Sequence, residues 1–312
     1  MSHTALAAPA RSFVSTQAWS TVWWAYRQFS DRKGQRLGRK LRFLSRSLFY
    51  WQGSVRWFQL LQQTSLGTLA KREGAFWERV HRPFFDCRLT AAERAELLLN
   101  HYRLLFTLLK PGLVEPILNG QGWPLAQLQG KSGAVYTLQF TRNGKFDKEG
   151  GMCLQLLAEG RVLVTLTLLL AEGAEGRVIK VGGAQGGLNC REALKQATRD
   201  LHGIQPRLLL VEALRRVARW FAAARIEAIT QAQHVYRAGR YSWKKQIQMD
   251  YVALWDMCGG SRRADGLYDI PLQAPERSRE IPANKRAEYR RREALYQDMS
   301  EQMYQTLYLQ QA

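Results

Sequence analysis

The chain reads as an α+β protein: a helical, basic N-terminal region, a mixed but mainly antiparallel sheet with packed helices, and a basic C-terminal helix. Three observations predict this. Apolar residues recur at helical spacing as far as Pro111-Gly112. From about Gly130 the period changes to two, with Tyr136, Leu138 and Phe140 on one face of "AVYTLQFTRNGKF". Beyond Gly187, helix-compatible and strand-compatible segments alternate. The expected divisions are residues 1–115, 116–275 and 276–312.

Each element has a local reason. Between Trp19 and Leu61, Trp23, Trp24, Phe43, Leu44, Leu48, Trp51 and Trp57 lie among Arg39, Lys40, Arg42, Arg46 and Arg56. Such basic amphipathic helices either pack their apolar face on the protein's own core or lie on a bilayer interface or nucleic acid. The first arrangement is the expectation here. Thr90 and Glu93 form a T-x-x-E capping box, and Leu97, Leu98, Leu104, Leu105 and Leu108 follow in helical register. "MCLQLLAEGRVLVTLTLLLAEGAEGRVIKVGG" reads as three strands joined by turns at Gly160 and Gly173–Gly176, hence an antiparallel meander. Glu192–Leu201 forms a short helix, Pro206 opens a longer one with Leu210, Leu214, Val217, Ala218 and Phe221 facing the core, and "RIEAIT" is a brief buried strand.

Four glycines, Gly182, Gly183, Gly186 and Gly187, sit at the end of the third meander strand. Glycine costs backbone entropy in a strand, so they signal either a bend or a close approach. Gln185, Gly186 and Gly187 then form either a phosphate nest or a bend that passes beneath the following helix. Lys180 and Arg191 stand nearby for an anion.

Composition narrows the function classes. The chain carries 46 Lys+Arg against 26 Asp+Glu, a net +20 at pH 7. Such an excess favours nucleic acid, an anionic membrane surface or an anionic small-molecule ligand. Residues 1–60 alone hold ten cations and one acid, and Arg32, Lys33, Arg39, Lys40, Arg42 and Arg46 are the candidate polyanion-binding residues. "NKRAEYRRRE" repeats the bias near the C-terminus. The four cysteines are widely spaced, and the five histidines show no H-E-x-x-H pattern, so no metal site is expected. P-loop and G-x-S-x-G signatures are missing, which argues against a nucleotide hydrolase or a serine hydrolase. "MSHTALAAPARSFVSTQAW" has neither a basic n-region nor an apolar h-region, and no run reaches the roughly 18 apolar residues of a spanning helix. A cytoplasmic protein is expected, compatible with a peripheral position at an inner membrane.

The ordered motifs "LNGQGWPLAQLQGKSGAVYTLQF", "FDKEG", "IKVGGAQGG", "ATRDLHGIQPRLLLVEALRRVA", "HVYR", "DYVALWDMCGG" and "ANKRAEYRRRE" closely resemble the VirK/YbjX family of Gram-negative bacterial proteins, over roughly residues 75–298. The resemblance implies association with virulence, envelope stress and resistance to cationic antimicrobial peptides, without a settled biochemical activity. The order of meander, glycine loop, helix and strand is also loosely similar to the GCN5-related N-acetyltransferases. That likeness implies an acyltransferase-like core binding coenzyme A or an acyl-CoA through backbone N–H groups of the glycine loop and the N-terminus of the next helix. Gly183, Gln185, Gly186 and Gly187 are the corresponding cofactor-binding candidates. Their spacing differs from the family loop, and residues 188–205 intervene before Pro206. Tyr236 in "HVYRAGRY" aligns with the late tyrosine that serves as general acid.

Other candidates come from the residues themselves. His202, in "DLHGIQP", is either a helix-terminal residue that satisfies carbonyls or a general base near neutral pH. Glu212, within "LLLVEALRRVA", is either a buried base or the partner of Arg215 or Arg216 at helical spacing. His234 alternates with Tyr236 just after a strand end, where a mixed sheet commonly opens a ligand crevice. Asp147, Lys148 and Glu149 read as a solvated turn. Asp250, Tyr251, Trp255 and Asp256 read as a helix anchor on the sheet.

Overall fold

A computed structural model describes residues 16–30, 36–243, 247–275 and 282–308. The chain falls into two compact units, Met1–His81 and Arg82–Ala312.

The first unit is helical: α1 (Thr16–Ser30), α2 (Leu37–Phe49), α3 (Trp51–Gln63) and α4 (Leu66–Arg72), followed by a 3-10 turn at Arg79–His81. Aromatic rings make its core. Phe43 of α2 stacks on Phe29 of α1 at 4.2 Å and meets Phe58 of α3 at 5.6 Å. Trp57, Phe76 and Trp77 are fully enclosed. Arg39 pairs with the buried Glu78 at 2.7 Å, and Ser54 and His81 share a buried hydrogen bond of 3.0 Å.

The second unit opens with α5 (Ala91–Leu108) and α6 (Pro111–Leu118). The capping box forms as the sequence indicates, with Thr90 Oγ1 accepting from the Glu93 amide and Glu93 accepting from the Thr90 amide. The sequence groups α5 with the basic N-terminal region, and the boundary expected after residue 115 falls within α6. In the structure α5 lies on the sheet, and its His101 Nδ1 accepts from the Leu170 amide at 3.1 Å.

The strands follow in order: β1 (Trp123–Gln129), β2 (Val135–Thr141), β3 (Met152–Ala158), β4 (Arg161–Gly173) and β5 (Gly176–Gly186) form an antiparallel meander. A crossover through α7 (Arg191–Asp200) and α8 (Pro206–Trp220) leads to β6 (Ala223–Ala228), which lies parallel to β5. After α9 (Tyr251–Met257), β7 (Ser261–Arg262) and β8 (Tyr268–Ile270) complete the sheet, and α10 (Arg286–Tyr308) closes the chain. Among the described residues the sheet has eight strands in the order β1-β2-β3-β4-β5-β6-β8-β7. The fold is therefore α+β with a mixed sheet. β4 is buried without alternation from Leu163 to Ala171, so both its faces are covered, and both α5 and α8 contact it.

Two contacts secure the ends. α10 runs along β1, where Gln302 Nε2 donates to the Gln127 carbonyl at 2.9 Å and its Oε1 accepts from the Gln127 amide at 2.8 Å. Arg215 of α8, 3% exposed, donates to the carbonyls of Pro271 (2.8 Å) and Cys258 (2.6 Å) and pairs with Glu212. That guanidinium joins the crossover helix to the C-terminal strands. Replacement by methionine leaves two carbonyls without their donor. Urea unfolding of Arg215→Met is expected to show a loss of about 3 kcal/mol, whereas the exposed Arg219→Met stays within about 0.5 kcal/mol.

Candidate functional site

The site begins where the sheet changes direction. β5 pairs with β4 as far as Gly186, but its parallel pairing with β6 ends at Val181 opposite Ala228. Ile229 still donates to the Val181 carbonyl at 2.9 Å, and then the two chains part. Past that point the Ala184 amide donates to a side chain, the Tyr251 hydroxyl, at 3.2 Å. A crevice at the carboxyl ends of two parallel strands, at a topological switch, is where open sheets tend to bind ligands.

Glycine makes the crevice fillable. A Cβ at Gly182 would stand 1.8 Å from the Glu149 carbonyl oxygen, and one at Gly183 would stand 2.0 Å from Glu149 Oε2. Neither residue has a positive φ. Of the two reasons the sequence offered, close approach is the one that applies, and the neighbour is a glutamate. Gly150 and Gly151, which follow Glu149, are packed as tightly: their Cβ positions would meet the Leu168 carbonyl and the His101 ring at 2.7 and 2.1 Å.

Glu149 is fully buried, so the reading of residues 147–149 as a solvated turn is corrected. Asp147 pairs with Arg142, which pins the loop. The Phe85 amide donates to the Lys148 carbonyl at 2.8 Å, and the Cys87 amide donates to the Gln233 carbonyl at 2.8 Å. Residues 84–87 thereby strap the Glu149 loop to the segment carrying His234. The Glu149 carboxylate accepts from the Tyr236 hydroxyl, from Thr167 Oγ1 at 3.4 Å and from Gln185 Nε2 at 3.4 and 3.5 Å. A carboxylate out of water needs such donors. Gln185 also reaches the Tyr251 hydroxyl at 3.4 Å. In register it ends a polar row across the sheet, in which Gln139 donates to Gln155 and Gln155 to Thr165, each at 3.1 Å.

Burial sets the protonation states. Burial first, then the Glu149 charge and hydrogen bond, push the Tyr236 phenol far above its usual range. Tyr251 is raised by burial and by the same carboxylate. Both phenols are therefore protonated at neutral pH. His234 is fully buried, and desolvation lowers its pKa to about 4. Its Nδ1 accepts from the Tyr236 amide at 3.2 Å, so its single proton sits on Nε2. That nitrogen has no partner among the described residues.

Glu149, Gln185, His234, Tyr236 and Tyr251 line a cavity of about 230 Å³. A second cavity of about 670 Å³ shares Gln185, Gly186, Gln248 and Met249 with it and is lined by Arg191, Lys195 and Arg207. Pro206 and Gln205 place the N-terminus of α8 in its wall, and Gln205 makes no side-chain cap. Among the described residues Arg191 and Arg207 form no ion pair, whereas Lys195 meets Glu192 at 2.9 Å. A Cβ on Gly186 would meet Cys190 Sγ at 3.4 Å and Arg207 at 4.0 Å, ordinary van der Waals contacts with room for a methyl group. A Cβ on Gly187 would strike the Val162 carbonyl at 2.0 Å.

The sequence candidates thus separate into groups. Tyr236, His234, Gln185 and Gly186 converge on the paired cavities, with Gly183 behind Glu149 and Gly187 in the wall. His202 lies outside both, at the end of α7, with φ 54° and its carbonyl accepting from Arg292 Nε at 2.5 Å. Glu212 is held by Arg215 and by Arg216 (3.1 Å), away from the cavities. Arg39, Lys40, Arg42 and Arg46 lie on α2 of the first unit, while Arg32 and Lys33 fall outside the described residues. Tyr251 and Trp255 do anchor α9, the latter by donating Nε1–H to the Ile229 carbonyl at 2.8 Å. The sequence pattern placed Glu149 in a solvated turn and did not single out Arg207 or the site role of Tyr251. The Gly182–Gly183 pair was the signal for a close neighbour, because a side chain at either position would strike Glu149.

Comparison with known proteins assigns the family. Residues 32–305 match the family described as "Protein of unknown function (DUF535)", and the chain belongs to it. It is 34% identical over 268 residues to "Uncharacterized protein YbjX" of Escherichia coli (strain K12), covering 84% of this chain and 81% of that protein. An "Uncharacterized protein" of Haemophilus influenzae is 26% identical over 152 residues, 49% of this chain and 51% of the other. Among solved structures, two of a cAMP-binding acyltransferase from Mycobacterium smegmatis match with a TM-score of 0.29 and identities of 13% and 14%. They cover 75% and 66% of this chain and 65% and 64% of theirs, just under two thirds of that protein.

Two outcomes follow from the packing around Glu149. Gly183→Ala must displace the carboxylate or the strand, so its denaturant midpoint is expected to drop by about 1–3 kcal/mol of stability, while Gly186→Ala leaves it nearly unchanged. His234 is held neutral by the fold, so as pH falls the unfolded chain takes up its proton first, near 6.5, and the folded chain only near 4. Stability contributed by neutral His234 is therefore complete above about pH 6.5, declines to about pH 4 and then levels. His234→Asn, whose amide oxygen can still accept from the Tyr236 amide, is expected to remove about 3 kcal/mol of that decline when urea midpoints at pH 7 and pH 4 are compared.

Proposed function

We propose that this member of the DUF535 family is an N- or O-acyltransferase-like enzyme that takes an acyl-coenzyme A or similar phosphate-bearing donor. The observation that carries the reading is the junction of the two cavities: a buried carboxylate hydrogen-bonded to a protonated tyrosine opens into a cation-lined hollow at an uncapped helix N-terminus. A buried carboxyl group hydrogen-bonded to a protonated phenol sets a proton acceptor beside a proton donor within one site. The donor would supply the acyl group. Arg191, Arg207 and the first amides of α8 would hold its phosphates, since helix N-termini and guanidinium groups both favour such anions. Glu149 is the group to accept a proton from an incoming amine or hydroxyl, and the Tyr236 hydroxyl holds the proton to be returned. Tyr251 and Gln185 orient the carboxylate, and His234 fixes the backbone of Tyr236. The family's implied setting in envelope stress, virulence and antimicrobial-peptide resistance is compatible with acylation of a small envelope-related acceptor.

A second reading concerns the first unit. α2 and α3 carry no acidic residue, and Lys40, Arg42 and Arg46 of α2 supply cations for an anionic membrane surface or nucleic acid.

Thermal unfolding with coenzyme A and acetyl-coenzyme A tests the first reading. Ligand at about 100 times its Kd adds roughly 2.7 kcal/mol to the native state. The shift is expected to vanish in Gly186→Trp and Arg207→Glu, and no shift at millimolar ligand would remove the large cavity from the proposal. Once an acceptor is found, Glu149→Gln and Tyr236→Phe should each lower turnover roughly 10²-fold. A rate that stays at the parent value excludes that residue.

A further inference from the structure

α2 has two apolar faces, and a soluble helix needs only one. Its core face is Phe43 and Ser47, 1% and 0% exposed, with Phe43 stacked on Phe29. Leu37, Leu41, Leu44 and Leu48 repeat at spacings of four, three and four, which puts them on one line of the helix. That line faces solvent: Leu37 is 69% exposed, Leu41 54% and Leu48 42%, and Phe49 beyond its end is 81% exposed. The expectation that the apolar face of this segment packs on the protein's own core is met at Phe43, while the leucine line of α2 stays outside that core. A contiguous exposed apolar stripe of this kind marks a docking surface.

Charge selects the occupant. Lys40 flanks the stripe, Arg36 precedes the helix, Arg42 and Arg46 lie further round it, and no acid occurs from residue 36 to 63. A second copy of the chain would bring like charges together, which opposes self-association. A nucleic acid would answer the cations but would set the leucines against phosphate and water. A lipid surface with anionic headgroups answers both, with acyl chains for the leucines and phosphates for the cations. Trp19, half-exposed, packs on Trp51 at 4.6 Å beside the end of the stripe, the residue type favoured at the headgroup level. We propose that α2 lies in the interface of an anionic bilayer with Leu37, Leu41, Leu48 and Phe49 inserted among the lipids. The inference rests on the cationic-surface reading of the first unit and commits it to lipid.

The experiment is sedimentation of the full-length protein with vesicles at 0.15 M salt. Vesicles containing phosphatidylglycerol are expected to carry the protein down, and pure phosphatidylcholine vesicles are not. The variant Leu37→Ser/Leu41→Ser/Leu48→Ser should bind the anionic vesicles at least tenfold more weakly, since it removes three inserted apolar side chains. Its unfolding midpoint should match the parent, because the replaced residues are exposed. Arg42→Ser/Arg46→Ser should also weaken binding and reduce its dependence on salt. Undiminished binding by the triple-serine variant would overturn the insertion while leaving a cationic surface. Retention by duplex DNA with none on anionic vesicles would overturn it in favour of nucleic acid, and retention by neither would overturn the cationic-surface reading as well. The coenzyme A shift of the triple-serine variant should equal that of the parent, so the fate of the acyltransferase proposal is read separately.

Discussion

Burying one carboxylate at the switch point of the sheet constrains much of the second unit. A carboxyl group in an apolar interior is costly unless it is hydrogen-bonded, and Glu149 draws its partners from three places in the chain, Thr167, Gln185 and Tyr236. The strands must come close enough for those donors to reach, and only glycine at 182 and 183 allows that approach. The parting of β5 from β6 provides the volume, and Tyr251 fills the backbone hydrogen-bonding position that the parting leaves open. Removing any one of these features makes the others unfavourable, so the glycines, the splayed strands and the polar cluster form one arrangement.

The meander was legible because its period is carried by Val, Leu, Ile and Tyr with glycine turns between, and the helices because their caps and stripes are local. β1 is hard to read because "WPLAQLQ" has a proline at its second position and no β-branched residue. β7 and β8 are two and three residues long, too short to show a period. The site was half legible. Tyr236, His234 and Gln185 could be picked by their position at strand ends, and the glycines announced a close neighbour. The neighbour itself comes from more than thirty positions upstream, and nothing local in "FDKEG" separates a buried glutamate from a solvated one. Glu212 and His202 went the other way. The arginines three and four positions beyond Glu212 take its charge, and the left-handed backbone at His202 marks a helix end.

The two units solve different problems. In the first, stacked and tilted aromatic rings leave room on α2 for a second apolar line that the core does not use. In the second, large apolar side chains fill both faces of β4, and the polar groups that remain inside fall into separate networks, among them the row that leads to Gln185, the cluster around Glu149, the Asp200–Tyr136 pair and the contacts of Arg215. A helical periodicity reports that a face is apolar. It cannot report whether that face will find protein or lipid, since either partner satisfies it equally well.

The glutamine of α10 beside β1 has a wider meaning. β1 is the outermost strand of the sheet, and an unfinished strand offers its amides and carbonyls to any extended peptide. The side-chain amide of Gln302 presents a donor and an acceptor with the spacing of a peptide group and occupies the Gln127 position that an added strand would use. The C-terminal helix is thus a stopper that ends the sheet in one molecule. A chain that lost it, by proteolysis or by stalled synthesis, would carry a ready template for stacking with its own copies, so the last turns of the sequence guard against polymerisation of the first strand.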